Sequence, residues 1–315
     1  MMGTIYIDRN NMEIRVEGNS LVFYEDGVRT GCAPIKPLDR VVIIGNKKIE
    51  TSVLNKLASN NVSVVFLTGR SMSFRGILHG RLHNNALLRL KQYALSQSNF
   101  CLQFAKELVE TKIRKQVALL EEIRSLTPDK AYEVNSTIAA MNEIVKQASG
   151  HHDIDSLRGL EGIAANLYFK NFIHAFPPSL NFKGRVRRPP TDPVNSILSL
   201  TYTLVHFELV REIQIIGLDP IIGFYHSFEY GRESLACDLV EEYRPDVDRF
   251  VLGLFKERIL RSDDFHVLND EGRSGCYLKK VKRKDYYFQY ESWAKENRPK
   301  WKDRVIQLSR RLLNA

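Results

Sequence analysis

The hydrophobic pattern of this chain changes period at Gly80, and that change restricts the fold more than any other feature of the sequence. Upstream, short apolar runs alternate with turn residues: TIYID, EIRV, LVFY, VVIIG, VSVVFL and FRGIL, with Asp26-Gly27 among the punctuation. Such runs read as strands. One stretch with a helical period interrupts them, Thr51 to Ala58 (TSVLNKLA), between a strand ending at Ile44 and one starting at Val62. Downstream, apolar residues recur at spacings of three and four, as at Leu87, Leu90 and Ala94, then Leu102, Ala105 and Leu108. The pattern predicts an α+β chain with a β-strand-rich N-terminal domain over 1–80 and an all-α-helical domain over 81–315.

Within the second part, Arg81 to Glu122 reads as helical, with Arg89, Lys91, Lys106, Lys112, Arg114 and Lys115 as its basic exterior. Thr127-Pro128-Asp129 breaks the pattern, and a second helix runs to about Ala148. A third spans about Ser156 to Ala175, after the polar link Ser149 to Asp155. Asp192 with Pro193 behind it is an N-cap and first helical residue for a strongly apolar helix, Val194 to Ile216, which Gly217-Leu218-Asp219-Pro220 stops. A helix from Val247 to about Leu260, a basic and aromatic run at Lys279 to Tyr290 that reads as a surface helix or as a contact for a nucleic-acid strand by charge and stacking, and an amphipathic terminal helix from Trp293 to Leu313 complete the pattern.

Lys and Arg number 46 against 37 Asp and Glu, a net charge of +9 that favours a polyanionic partner such as nucleic acid or a membrane surface. No run approaches the roughly 18 apolar residues of a membrane span, and MMGTIYIDRN lacks the blocks of a secretory signal. A soluble, cytoplasmic protein with no membrane partner is expected. The four cysteines, Cys32, Cys101, Cys237 and Cys276, lie far apart and form no C-x-x-C pair, which argues against a zinc ribbon or a disulfide framework.

Chemistry concentrates between Gly223 and Pro245, GFYHSFEYGRESLACDLVEEYRP. His226 sits on a short connection closed by Gly231, and Ser234 is placed to cap a helix carrying Asp238 and Glu241. Residues three apart on a helix are neighbours, so both carboxylates are expected to point into one volume. Imidazole with carboxylate oxygens suits a divalent cation such as Mg²⁺ or Mn²⁺. The competing reading makes Glu241, Glu242 and Arg244 an ordinary solvated face and His226 a capping histidine.

Two further features bear on that choice. Glu161 falls on the edge of a buried stripe formed by Leu157, Leu160, Ala164, Leu167, Tyr168 and Phe172, between Gly159 and Gly162. Burying an unpaired anion costs several kcal/mol, so Glu161 should meet either an arginine or a metal ion, and Arg158 lies on a different face. The loop NFKGRVRRPPTD, Asn181 to Asp192, brings Lys183, Arg185, Arg187 and Arg188 together on a segment stiffened by Pro189 and Pro190. Guanidinium groups pair with phosphate oxygens, and such binding weakens as salt rises. The same loop can also be a solvated surface.

The runs RRPPTDPVNSILSLTYTL, GLDPIIGFYH and SLACDLVEEYRP, with the glutamate of LRGLEG and the upstream GRLHNNALLRLKQY, resemble in order and spacing the CRISPR-associated spacer-acquisition integrase family. The resemblance covers nearly the whole chain. It implies a β-strand N-terminal domain, a helical catalytic domain, a homodimer, and assembly with a small second universal adaptation protein. It places the metal-binding glutamate, histidine and acidic residue on Glu161, His226 and Glu241, with Asp238 on a second acidic position. Arg89 and the loop arginines become DNA contacts, and Tyr202 a neighbour of the site. The implied substrates are double-stranded DNA with 3′ single-stranded ends and the CRISPR repeat. The implied reaction is transesterification, in which a 3′-hydroxyl attacks a phosphodiester at the leader-repeat junction with Mg²⁺ or Mn²⁺ at the site. Glu241→Ala or His226→Ala is expected to abolish cleavage and joining and to leave folding intact.

Two other classes remain open on the residues alone. A non-catalytic basic scaffold would bind DNA for a separate nuclease without needing Mn²⁺. A metal-dependent ribonuclease would share the site but prefer RNA.

Overall fold

The computed structural model describes residues 3–70, 72, 74–80, 85–186, 189–270 and 273–315. It divides into two compact units, Met1–Asn84 and Asn85–Ala315.

The first unit carries β1 (Gly3–Ile7), β2 (Met12–Glu17), β3 (Ser20–Glu25), β4 (Val28–Pro34), β5 (Leu38–Ile44), β6 (Lys48–Ile49), α1 (Thr51–Ser59), β7 (Ser63–Leu67) and β8 (Phe74–Leu78). One sheet runs β1-β5-β7-β8, the other β4-β3-β2-β6. β1, β5 and β7 pair in parallel, and β8 closes their edge antiparallel. Parallel strands need a crossover, and the stretch between β5 and β7 supplies it through α1. Ile14, Leu21, Val41, Ile43, Val53, Leu57 and Val64 meet in one core, which is why these runs are apolar. The sequence pattern does not anticipate β4. All but one of its residues are exposed, so no hydrophobic alternation marks it.

The second unit holds α2 (Ala86–Leu95), α3 (Phe100–Leu126), α4 (Ala131–Gly150), α5 (Ile154–Phe172), α6 (Pro193–Ile216), α7 (Ser234–Glu241), α8 (Arg244–Lys256), β9 (Phe265–Asp270), β10 (Arg273–Leu278) and α9 (Lys280–Asn314). It is helical apart from the antiparallel hairpin β9–β10, which departs from the all-helical expectation. The expected first helix is two helices, broken at the polar run Ser96 to Asn99, and the last two expected helices are one continuous α9. Leu87 and Leu90 are exposed, while Leu88 and Gln92 face inward.

α6 is the centre of this unit. Asp192 caps it by accepting from the Asn195 N–H at 2.9 Å, Pro193 occupies the first turn, and Gly217 ends it at φ 100°, a conformation that favours glycine. It is buried on nearly every side, polar residues included: Asn195, Thr201, Tyr202, Glu208 and Glu212 lie inside with the leucines and isoleucines. Buried polar groups require partners. Thr201 Oγ1 meets the Tyr286 hydroxyl of α9 at 2.9 Å, and Glu208 accepts from Arg298 at 3.0 Å.

Candidate active site

The site begins where α6 stops. Gln92 of α2 clamps the turn after Gly217: its amide donates to the carbonyls of Asp219 at 2.8 Å and Ile222 at 2.7 Å, and accepts from the Asp219 N–H at 2.8 Å. Arg89, expected to contact DNA, donates from Nε to the Gly217 carbonyl at 3.2 Å. The chain then lies flat on the first turn of α7. A Cβ on Gly223 would sit 2.7 Å from Asp238 Oδ2 and 2.8 Å from the Ser234 carbonyl carbon, so only glycine allows this approach.

That approach delivers three successive N–H groups to one buried carboxylate. Asp238 Oδ2 accepts from Phe224 N at 2.6 Å and Tyr225 N at 3.0 Å, and Oδ1 accepts from His226 N at 2.9 Å. The same Oδ1 lies 2.7 Å from His226 Nδ1. A carboxylate beside Nδ1 keeps the proton there and leaves the Nε2 lone pair available. Asp238 and Glu241 therefore do not share a volume as the helical spacing suggests. Asp238 faces the loop, and both its oxygens are engaged by protein donors. Ser234 begins α7 but does not cap it, and its hydroxyl donates to the Ser227 carbonyl at 3.1 Å.

Glu241 faces the other way, toward α3 and α5. There Lys112, counted in the sequence as part of a basic exterior, is buried, and its ammonium lies between two carboxylates. It donates to Glu241 Oε2 at 2.5 Å and to Glu161 Oε1. Leu108, Val109, Ile113 and Gln116 are buried with it on α3, so its spacing from Leu108 placed it on the apolar stripe. The partner of Glu161 is thus this lysine and not an arginine. Arg158 reaches instead to Asp155 and to the Tyr225 carbonyl. Each carboxylate has a second partner on its remaining oxygen: the Tyr225 hydroxyl donates to Glu161 Oε2 at 3.3 Å, and Arg244 Nε donates to Glu241 Oε1 at 2.7 Å. Burial works to raise the Glu241 carboxyl, but Arg244 and Lys112 override it and hold it well below the usual carboxylate range. Burial first, then the charges of Glu161 and Glu241, push the Tyr225 phenol up, so it stays a donor. Glu241, Glu242 and Arg244 are not a solvated face, since Glu242 is also buried and pairs with both Nε and Nη2 of Arg304.

Arg244 also covers the Tyr202 ring, 4.5 Å from its centroid. Tyr202 donates to the buried Asp248, which also accepts from the Tyr168 hydroxyl at 2.9 Å. Burial raises the Asp248 carboxyl to about 6, against the pull of the two phenols and of Arg244 and Arg185. Arg185 turns inward from its loop, donating to Asn195 Oδ1 at 2.9 Å and Ser199 Oγ at 3.1 Å, with its guanidinium 5.4 Å from the Tyr202 centroid. Lys183 is exposed beside it. Arg187 and Arg188 lie outside the described residues.

The structure therefore brings Glu161 and Glu241 onto one cation and holds His226 next to Tyr225, whose hydroxyl touches Glu161. Among the described residues, no group of three or more His, Cys, Asp or Glu side chains is gathered as a metal site. The donors nevertheless suit a hard divalent ion: two carboxylate oxygens facing a common point that already holds a positive charge, and an imidazole with a fixed tautomer. Sequence reasoning missed Lys112, Tyr225 and Arg244 as members of this cluster.

A family model for CRISPR associated protein Cas1 matches residues 5–292. The chain is 52% identical over 313 residues to the CRISPR-associated endonuclease Cas1 1 of Thermodesulfovibrio yellowstonii, covering 99% of this chain and 98% of that protein. Its fold matches a chain of a Cas6-RT-Cas1–Cas2 complex at TM-score 0.84 and 22% identity, over 99% of this chain and 35% of that one. It also matches a casposase bound to integration product at TM-score 0.82 and 20% identity, over 98% and 91% of the two chains. A family model spanning most of the sequence, and a relative that shares half its residues from end to end, agree with the resemblance carried by its motifs: the chain belongs to the Cas1 family.

Proposed function

We propose that this protein is a nuclease of CRISPR adaptation that cuts DNA and joins captured fragments into the repeat array, with a divalent Mg²⁺ or Mn²⁺ held by Glu161, His226 and Glu241. The observation that carries the reading is the convergence of Glu161 and Glu241, from separate helices, on one buried cation beside an imidazole whose Nε2 is left available. Kinship with a named Cas1 endonuclease supports the nuclease reading, and the fold shared with a casposase bound to integration product supports the joining step. When bound, the ion would supply Lewis-acid stabilisation of charge on a phosphodiester oxygen.

The chain's own residues do the rest. Asp238 fixes the loop and the His226 tautomer, while Arg244 and Tyr225 hold the outer oxygens of the two carboxylates. Lys183, together with Arg187 and Arg188 of the basic loop, would neutralise backbone phosphates. In the joining step, the 3′-oxygen of a captured strand forms a bond to phosphorus and loses its proton to solvent, while the bond to the leaving 3′-oxygen breaks and that oxygen takes up a proton from solvent. Water in place of the hydroxyl gives hydrolysis. The working form is a homodimer, as the motif resemblance implies, and it assembles with a small Cas2-type partner, which the fold shared with a Cas6-RT-Cas1–Cas2 complex supports. Among the described residues no helix is long and apolar enough to cross a membrane.

The test is Mn²⁺-dependent cleavage and strand joining by His226→Ala and Glu241→Gln, compared on matched DNA and RNA. Glutamine is preferred to alanine because it keeps the side chain's volume and one acceptor oxygen for Lys112 or Arg244, so fewer buried donors are left unsatisfied. Both activities should vanish in both variants while urea unfolding stays cooperative. Wild-type activity in the two folded variants would refute the site. DNA binding without any metal-dependent cutting by the wild type would favour a scaffold.

A further inference from the structure

We propose that Lys112 is a built-in substitute for the divalent ion: its ammonium occupies the point between Glu161 and Glu241 when metal is absent and must leave when metal binds. The lysine thereby keeps the carboxylates assembled and sets how tightly the ion is held. The inference rests on the reading of Glu161, His226 and Glu241 as the metal site.

The geometry argues for exchange and not for a permanent ion pair. Each carboxylate gives one oxygen to Lys112 and the other to a different partner, Glu161 Oε2 to Tyr225 and Glu241 Oε1 to Arg244. When the ammonium leaves, neither carboxylate loses its orientation, and the two oxygens it frees are the two that face each other. Lysine suits the role chemically. It is a point charge on a flexible four-carbon stem, with donors only, so it can satisfy carboxylates but cannot ligate a metal. A divalent ion and an ammonium cannot share that point, because like charges a few ångströms apart in a buried setting repel strongly. Lys115, three residues on, shows the ordinary alternative: it pairs with Asp246 and the Glu242 carbonyl, away from both glutamates.

The test compares full-length wild type, Lys112→Met and His226→Asn by calorimetric titration with Mn²⁺ and by thermal melting with Mn²⁺ or EDTA. Lys112→Met should melt lower than wild type in EDTA, bind Mn²⁺ about tenfold more tightly, and gain more in Tm on adding it. Affinity equal to or weaker than wild type overturns the proposal. Should Lys112→Met fail to fold in EDTA, cooperative melting restored by Mn²⁺ supports it, and failure in both buffers overturns it. If wild type and His226→Asn take up Mn²⁺ alike, or neither does, the metal-site reading falls and this inference with it. If wild type binds, His226→Asn does not, and Lys112→Met binds no tighter, the exchange role alone is lost.

Discussion

Replacing Asp238 with alanine removes the acceptor for three backbone N–H groups and one imidazole nitrogen at a stroke. Phe224 and Tyr225 are almost fully buried, so their N–H groups have no ready access to water. A buried donor left unsatisfied costs about 1–3 kcal/mol, which puts the loss at about 3–9 kcal/mol for the three backbone groups. Whole-domain stability is only about 5–15 kcal/mol. The lower part of the range applies, because the connection can swing outward and rehydrate. Urea unfolding of Asp238→Ala without metal should therefore show a loss of about 3 kcal/mol or more, and DNA cleavage should disappear with the His226 orientation. Asp238→Asn, which keeps one acceptor oxygen, should fall between. An Asp238→Ala protein as stable as wild type in the absence of metal would refute the reasoning, even if it were inactive, because that result belongs to a metal ligand and not to a loop anchor.

Gly223→Ala should lose activity and about 1–3 kcal/mol, since its Cβ would press on Asp238 Oδ2 at 2.7 Å. Gly231→Ala, at φ 72° but with nothing within 4 Å, should cost about 1–2 kcal/mol and leave cleavage near normal, and equal effects of the two substitutions on cleavage would contradict the account. Asp248, raised from 3.8 to about 6, binds its proton more tightly folded than unfolded, so its ionisation removes about 3 kcal/mol of stability as pH climbs through that window. The stability of wild type relative to Asp248→Asn should therefore fall by that amount between pH 4 and about 6 and stay level above, whereas parallel curves in urea titrations would refute the shift.

The strands buried in the first unit and the caps of α6 were legible because each has a local signature: alternation for the strands, Asp192-Pro193 and Gly217 for the helix. β4 was not, being an exposed edge, and neither was the break between α2 and α3, where only the polar run Ser96 to Asn99 marks the change. At the site, Glu161 stood out because a carboxylate on an apolar edge demands a counter-charge, yet the identity of that charge was hidden 49 residues away. Lys112 shares its stripe with Leu108, a signal that was present and outweighed by the many lysines around it. The different facing of Asp238 and Glu241 was not legible at all. It depends on a loop lying close enough to α7 to present its N–H groups, which follows from packing at Gly223 and from no periodicity.

The burial of α6 on almost every side limits how the length of this protein can vary. One residue inserted between Asn195 and Thr201 would turn all that follows by about 100°. It would part Thr201 from Tyr286, Tyr202 from Asp248 and Glu208 from Arg298 together. Insertions and deletions in this segment should therefore be tolerated nowhere, while the exposed strand Val28–Pro34 can lengthen or shorten with little penalty.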